Sequence, residues 1–111
     1  MKYTKKIILS VTGIFFTMTT LVLAADEHAI TIKEHKFYPE ELKVASGTKI
    51  KLIIENQDNS AEEFESYDLN REKVVSPNGK ITVFIGPLKP GTYAYFGDFN
   101  PETAQGRIMA E

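Results

Sequence analysis

The amino-acid sequence predicts an all-β domain, a sandwich or partly closed barrel of short strands. Three observations predict it. Apolar residues alternate with polar ones along most of the chain, the period that puts one face of a strand in a core and the other in water, as in antiparallel sheets. Turn chemistry recurs between the alternating runs. The runs are short and regularly spaced, which suggests about six to eight strands.

The elements follow in chain order. The stretch "MKYTKKIILSVTGIFFTMTTLVLAADEH" carries Lys2, Lys5 and Lys6 ahead of an apolar run from Ile7 to Ala24, with small residues at Ala24 and Ala25. This is the pattern of a secretory signal peptide over residues 1–25. A retained anchor is the alternative reading, since the run is about long enough to span a bilayer. Ile30 and Ile32 then alternate with Thr31 and Lys33, and Leu42 and Val44 do the same with their polar neighbours. Ile50, Leu52 and Ile54 form the next run, followed by Ile81, Val83 and Ile85, then Tyr93 and Tyr95, and Ile108 closes the series. "ASGT" at 45–48, "SPNG" at 76–79 and "KPG" at 89–91 separate these runs. Glycine supplies positive φ there and proline fixes φ, so the chain bends. "PGTYAY" has the form of a tyrosine corner, in which a Tyr hydroxyl ties a crossing loop to backbone. The segment "SAEEFESYDLNREK", residues 60–73, reads two ways. It opens with a Ser-x-x-Glu capping box that could start a helix, and it reads equally as a strand through Glu63–Glu65 followed by an irregular crossover.

Removing residues 1–25 takes three lysines and no acids from a chain of formal charge −2, leaving −5 on residues 26–111. An acidic domain without a Lys/Arg cluster is the wrong surface for phosphate backbones, so no nucleic-acid partner is expected. There are no cysteines. An exported chain without disulfides must hold itself together by its apolar core.

The stretch "FYPEELKVASGTKIKLIIENQD", residues 37–58, resembles the opening of cupredoxins through Phe37, Pro39, Leu42, Val44, Gly47, Ile50 and Asn56. "PLKPGTYAYFGDFNPETAQG" resembles the strand and ligand loop that close the same fold. "EEFES" and "REKVV" are similar to the EfeO-type cupredoxin-like domains that accompany bacterial iron-uptake permeases. The resemblance implies a cupredoxin-like Greek-key β-sandwich over residues 26–111 with a metal site at one end. It implies two His, one Cys and usually a Met as ligands of a type 1 copper. In this chain the first His position falls on Glu62 or Glu63, the Cys position on Gly97 and the second His position on Asn100.

A blue-copper centre needs a thiolate in a trigonal His₂Cys set. With no Cys in the chain, a type 1 copper is excluded. What the mapping leaves is oxygen-rich: Glu62, Glu63 and Glu65 from one segment, Asp98 and Glu102 from the C-terminal loop. Carboxylates suit hard or intermediate cations, so the expected metal is a weakly bound iron or copper ion at Glu63, Glu65 and Asp98, with His35, Glu62 and Asn100 as further candidates. The competing reading is a solvated acidic rim with Lys73 or Arg71 nearby, the common fate of acidic runs. His28 offers a separate site if the chain is cut after Ala25, because Asp26-Glu27-His28 could then wrap Cu(II) in a square-planar nitrogen set. No catalytic constellation stands out: Ser60 and Ser76 lack His–acid partners, and there is no nucleophile elbow or phosphate loop.

The sequence therefore leads to a secreted or periplasmic metal-handling protein, accessory to iron or copper uptake, exchanging its ion with a membrane iron permease or a periplasmic partner. The alternative is a metal-free module of the same fold that docks a partner.

Overall fold

The computed structural model describes residues 12–14, 17 and 25–111. The signal-peptide reading of residues 1–25 falls outside the described residues apart from those isolated positions. Nine strands lie among the described residues: β1 Asp26–Lys33, β2 Lys36–Tyr38, β3 Glu41–Val44, β4 Ile50–Asn56, β5 Glu62–Ser66, β6 Arg71–Val75, β7 Lys80–Ile85, β8 Gly91–Gly97 and β9 Gln105–Ala110. They form a two-sheet sandwich, one sheet in the order β2-β1-β4-β7 and the other β3-β9-β8-β5-β6.

Each alternating run became a strand with its apolar set inward. Ile50, Leu52 and Ile54 are fully buried on β4, as are Ile30 and Ile32 on β1 and Ile108 on β9. At the centre, Phe37, Phe64 and Tyr95 meet edge to face or tilted. Phe37 lies 5.0 Å from the Tyr95 ring and 6.3 Å from the Phe64 ring, and Phe64 lies 5.2 Å from Tyr95. Gly106 stands opposite Tyr95 across the β8–β9 ladder. A Cβ there would come within 2.4 Å of the Tyr95 ring, so glycine is what lets that ring lie flat on β9. The tyrosine corner is present: the Tyr93 hydroxyl donates to the Lys89 carbonyl at 2.8 Å.

Two expectations need correction. The sheets are mixed, because β1 pairs with β4 in parallel and β3 with β9 in parallel. Alternation reports one-sided burial and is blind to strand direction. The helical reading of residues 60–73 also fails: the segment is the antiparallel hairpin β5–β6. Its turn is set by Asn70 at φ 52°, with the Asn70 N–H donating to the Tyr67 carbonyl. The Ser66 hydroxyl accepts from the Leu69 N–H and donates to the Ala94 carbonyl of β8. Burying Phe64 between the sheets outweighs the weak helical signal of a capping box.

Arg71 and Lys73 do not lie on the outer face of this hairpin. Arg71 Nε donates to the Phe84 carbonyl and Lys73 Nζ to the Thr82 carbonyl, both on β7. β7 is the edge of the other sheet. The two cations therefore satisfy carbonyls along that edge, a placement that protects an exposed strand from further pairing.

Candidate metal centre

The end of the sandwich that holds the mapped ligand positions is organised by Asn56, at the end of β4. Its side chain is buried and fully used. Nδ2 donates to the carbonyls of Ser60, Val75 and Ser76, and Oδ1 accepts from the Asp58 N–H. This Asx turn bends the chain out of β4 and delivers Glu62 to the start of β5.

From there, period two splits the acids between two faces. Glu62, Phe64 and Ser66 point inward, and Glu63 and Glu65 outward. Glu62 is only 2% exposed, yet its carboxylate is well supplied with donors. Oε1 accepts from the Glu63 N–H at 3.0 Å and from the Phe99 N–H at 2.9 Å, and Oε2 accepts from Asn100 Nδ2 at 2.8 Å. Gly97 lies against the same group. A Cβ on residue 97 would meet Glu62 Cδ at 2.5 Å and the Ala104 Cβ at 2.7 Å.

These three positions do not fit a type 1 copper. A cysteine at 97 would have to place its Cβ inside the Glu62 carboxylate. Asn100 spends its amide on Glu62, where a ligand would have to offer a lone pair. The thiolate that the chemistry requires is absent from the chain.

On the outer face a different cluster forms. Carboxylate oxygens of Glu63, Glu65 and Glu72 all lie within 4.8 Å of one another. Two oxygens bound to one cation cannot be further apart than twice the metal–oxygen distance, about 4.6–5.2 Å for a calcium-sized ion. The spacing is therefore within the reach of one calcium-sized ion, while a smaller ion with metal–oxygen distances of about 2.0–2.2 Å would have to draw the three side chains inward. Glu65 and Glu72 stand directly opposite each other in the hairpin register. None of the three takes part in an ion pair among the described residues. The solvated-rim reading placed Lys73 or Arg71 near these acids; the Arg71 Nε and Lys73 Nζ donate to β7 carbonyls.

The repulsion has a measurable consequence. Glu63 is raised from its ordinary value of 4.5 to about 7, first by sharing a hydrogen bond with Glu72, then by burial, by the charge of Glu72, by a hydrogen bond with Glu65 and by the charge of Asp98. Folding thus takes up a proton at Glu63 between about pH 4.5 and 7. Stability contributed by this group is complete below 4.5 and declines as pH rises through about 7. Glu63→Gln should remove that decline: its melting temperature should match the wild type near pH 4 and exceed it at pH 8. Parallel melting profiles for the two proteins across pH 4–8 would contradict the assignment.

The remaining candidates are placed elsewhere. Asp98 donates its backbone N–H to the Glu63 carbonyl at 2.9 Å and adds its charge to the neighbourhood, but it is not one of the three converging carboxylates. His35 sits in the β1–β2 turn, half-exposed, with its ring 3.8 Å from Asp58 and its backbone N–H donating to the same carboxylate. It joins no acidic trio. His28 lies within β1, its ring 2.9 Å from Asp26, in the stretch that pairs with β4. The terminal copper arrangement would require residues 26–28 to leave that ladder. Glu72 is the member that sequence reasoning missed, because the residue opposite Glu65 is defined only once residues 60–73 are known to be a hairpin.

A profile of the family described as a cupredoxin-like domain matches residues 6–110. An uncharacterised protein of Rickettsia prowazekii is 45% identical over 118 residues, covering 97% of this chain and 94% of that protein. Among solved structures, auracyanin A, a blue copper protein of Chloroflexus aurantiacus, superposes with a TM-score of 0.68 at 15% identity, covering 79% of this chain and 100% of that one. The metal-binding domain of the Cu(I)-exporting P-type ATPase CopA of Streptococcus pneumoniae gives a TM-score of 0.62 at 10% identity, covering 77% of this chain and 84% of that one. At such identities the two structures speak for the fold alone.

Proposed function

The chain belongs to the cupredoxin-like family, and on that footing we propose that it is an exported member without a type 1 copper centre, holding an exchangeable cation, iron in first place, at Glu63, Glu65 and Glu72. One observation carries the reading: three carboxylates share a small space, one of them nine-tenths buried, and none of them is ion-paired among the described residues. Such a group takes a proton or a cation. An all-oxygen set suits hard ions and releases them readily. The similarity of "EEFES" and "REKVV" to EfeO-type domains supports iron as the cargo and a membrane permease as the partner. Export is supported by the pattern of residues 1–25. CopA of Streptococcus pneumoniae is an instance of this fold serving a membrane transporter of metal.

The test is a melting series on metal-stripped protein with Fe(II), Fe(III), Mn(II) and Cu(II). A bound ion stabilises by mass action, about 2.7 kcal/mol when present at 100 times its dissociation constant. The response should grow from pH 6 to 8, as Glu63 loses the proton that competes with the metal. If no ion moves the melting temperature, the second reading holds. That reading is a metal-free docking module, and the internal hydrogen bonding of Glu62 is the observation that favours it.

A further inference from the structure

We infer that Glu62 replaces the metal ion itself as the cross-link at this end of the sandwich, and that Glu62, Gly97 and Asn100 are one metal-independent latch. In a copper-bearing domain of this fold, the ion joins a strand of the sandwich to the loop before the last strand. Here one buried carboxylate makes the same join. It gathers an N–H from its own strand, at Glu63, and two donors from the 97–104 loop, at Phe99 and Asn100. A carboxylate accepting several N–H bonds inside a protein is held strongly, because each bond is charge-assisted. Removing it would leave three N–H donors, one of them buried and two part-buried, without their acceptor, the expensive direction of any hydrogen-bond change.

The rest of the loop agrees with a preformed, tied-down segment. Gly97 N–H donates to the Ala104 carbonyl, and the N–H groups of Asn100 and Ala104 bond within the loop, to the carbonyls of Gly97 and Asn100. The Asp98 N–H reaches the Glu63 carbonyl on β5. No buried side-chain nitrogen or oxygen among the described residues lacks a partner. The latch thus completes the polar accounting of this end without an ion. Gly97 fits the same scheme: the space where its Cβ would stand holds the Glu62 carboxylate. The inference does not rest on the cation reading. Glu62 faces inward and the acidic trio faces outward, so either can fail while the other stands.

Amide exchange followed by NMR on chelator-treated protein is the test. In the stripped wild type the Phe99 amide should exchange at least about 100-fold slower than a free amide, as a structured region does. Glu62→Ala should return that amide to fast exchange while the Val83 amide, in the other sheet, keeps its rate. Should Glu62→Ala fail to fold, Asn100→Ala removes one of the loop's donors and should speed Phe99 exchange by about tenfold or more. Fast Phe99 exchange in the stripped wild type, or protection that appears only when a metal is added, would overturn the latch.

Discussion

Phe64→Ala is expected to destabilise the domain by about 3–5 kcal/mol, the usual cost of emptying a buried aromatic site. Phe64 is fully buried and touches both other rings of the central cluster. Small domains have only about 5–15 kcal/mol in total, so the melting temperature should fall by about 15 °C or more. The loss should reach the candidate metal centre as well. Phe64 is the inward anchor between Glu63 and Glu65, and its burial fixes which face of β5 each glutamate takes. A melting-temperature change of only a few degrees would mean that the core lies elsewhere.

Placing copper-type ligands at residues 97 and 100 should fail while Glu62 remains. Gly97→Cys with Asn100→His is expected to cost about 2–4 kcal/mol, from overpacking against the Glu62 carboxylate and from the lost Asn100 bond. The double variant should melt about 10 °C or more below the wild type and show no intense visible band with Cu(II). Adding Glu62→His to that pair exchanges the carboxylate beside residue 97 for an imidazole and completes a His₂Cys set, so the triple variant should become coloured with Cu(II). A double variant that folds with wild-type stability and turns blue would show that Glu62 does not occupy the copper position.

Much of the fold was legible because it rests on local chemistry. Ile30, Ile32, Ile50, Leu52, Ile54 and Ile108 announce their buried faces by period two alone, and all six are buried. The Tyr93 corner follows from a short motif, and its hydrogen bond is where the motif puts it. Strand direction was not legible, since the parallel pairs β1–β4 and β3–β9 join segments far apart in sequence. The site divides along the same line. Glu63 and Glu65 share a face by alternation, but Glu72 enters only through the hairpin register. Glu62 was indistinguishable from its neighbour in a run of acids. Only the fold shows that the two face opposite ways, one bonded to the loop through its carboxylate and the other set against its own kind.

The location of the cation is the most direct test. The melting response of metal-stripped protein to Fe(III) or Mn(II) at pH 7.5 should be compared in the wild type, Glu72→Gln and Asn100→Ala. Glu72→Gln should abolish the metal-induced rise while Asn100→Ala, though less stable throughout, keeps it. A response that survives Glu72→Gln and disappears in Asn100→Ala would place the ion at the end held by Glu62 and Asn100 and contradict the assignment to Glu63, Glu65 and Glu72.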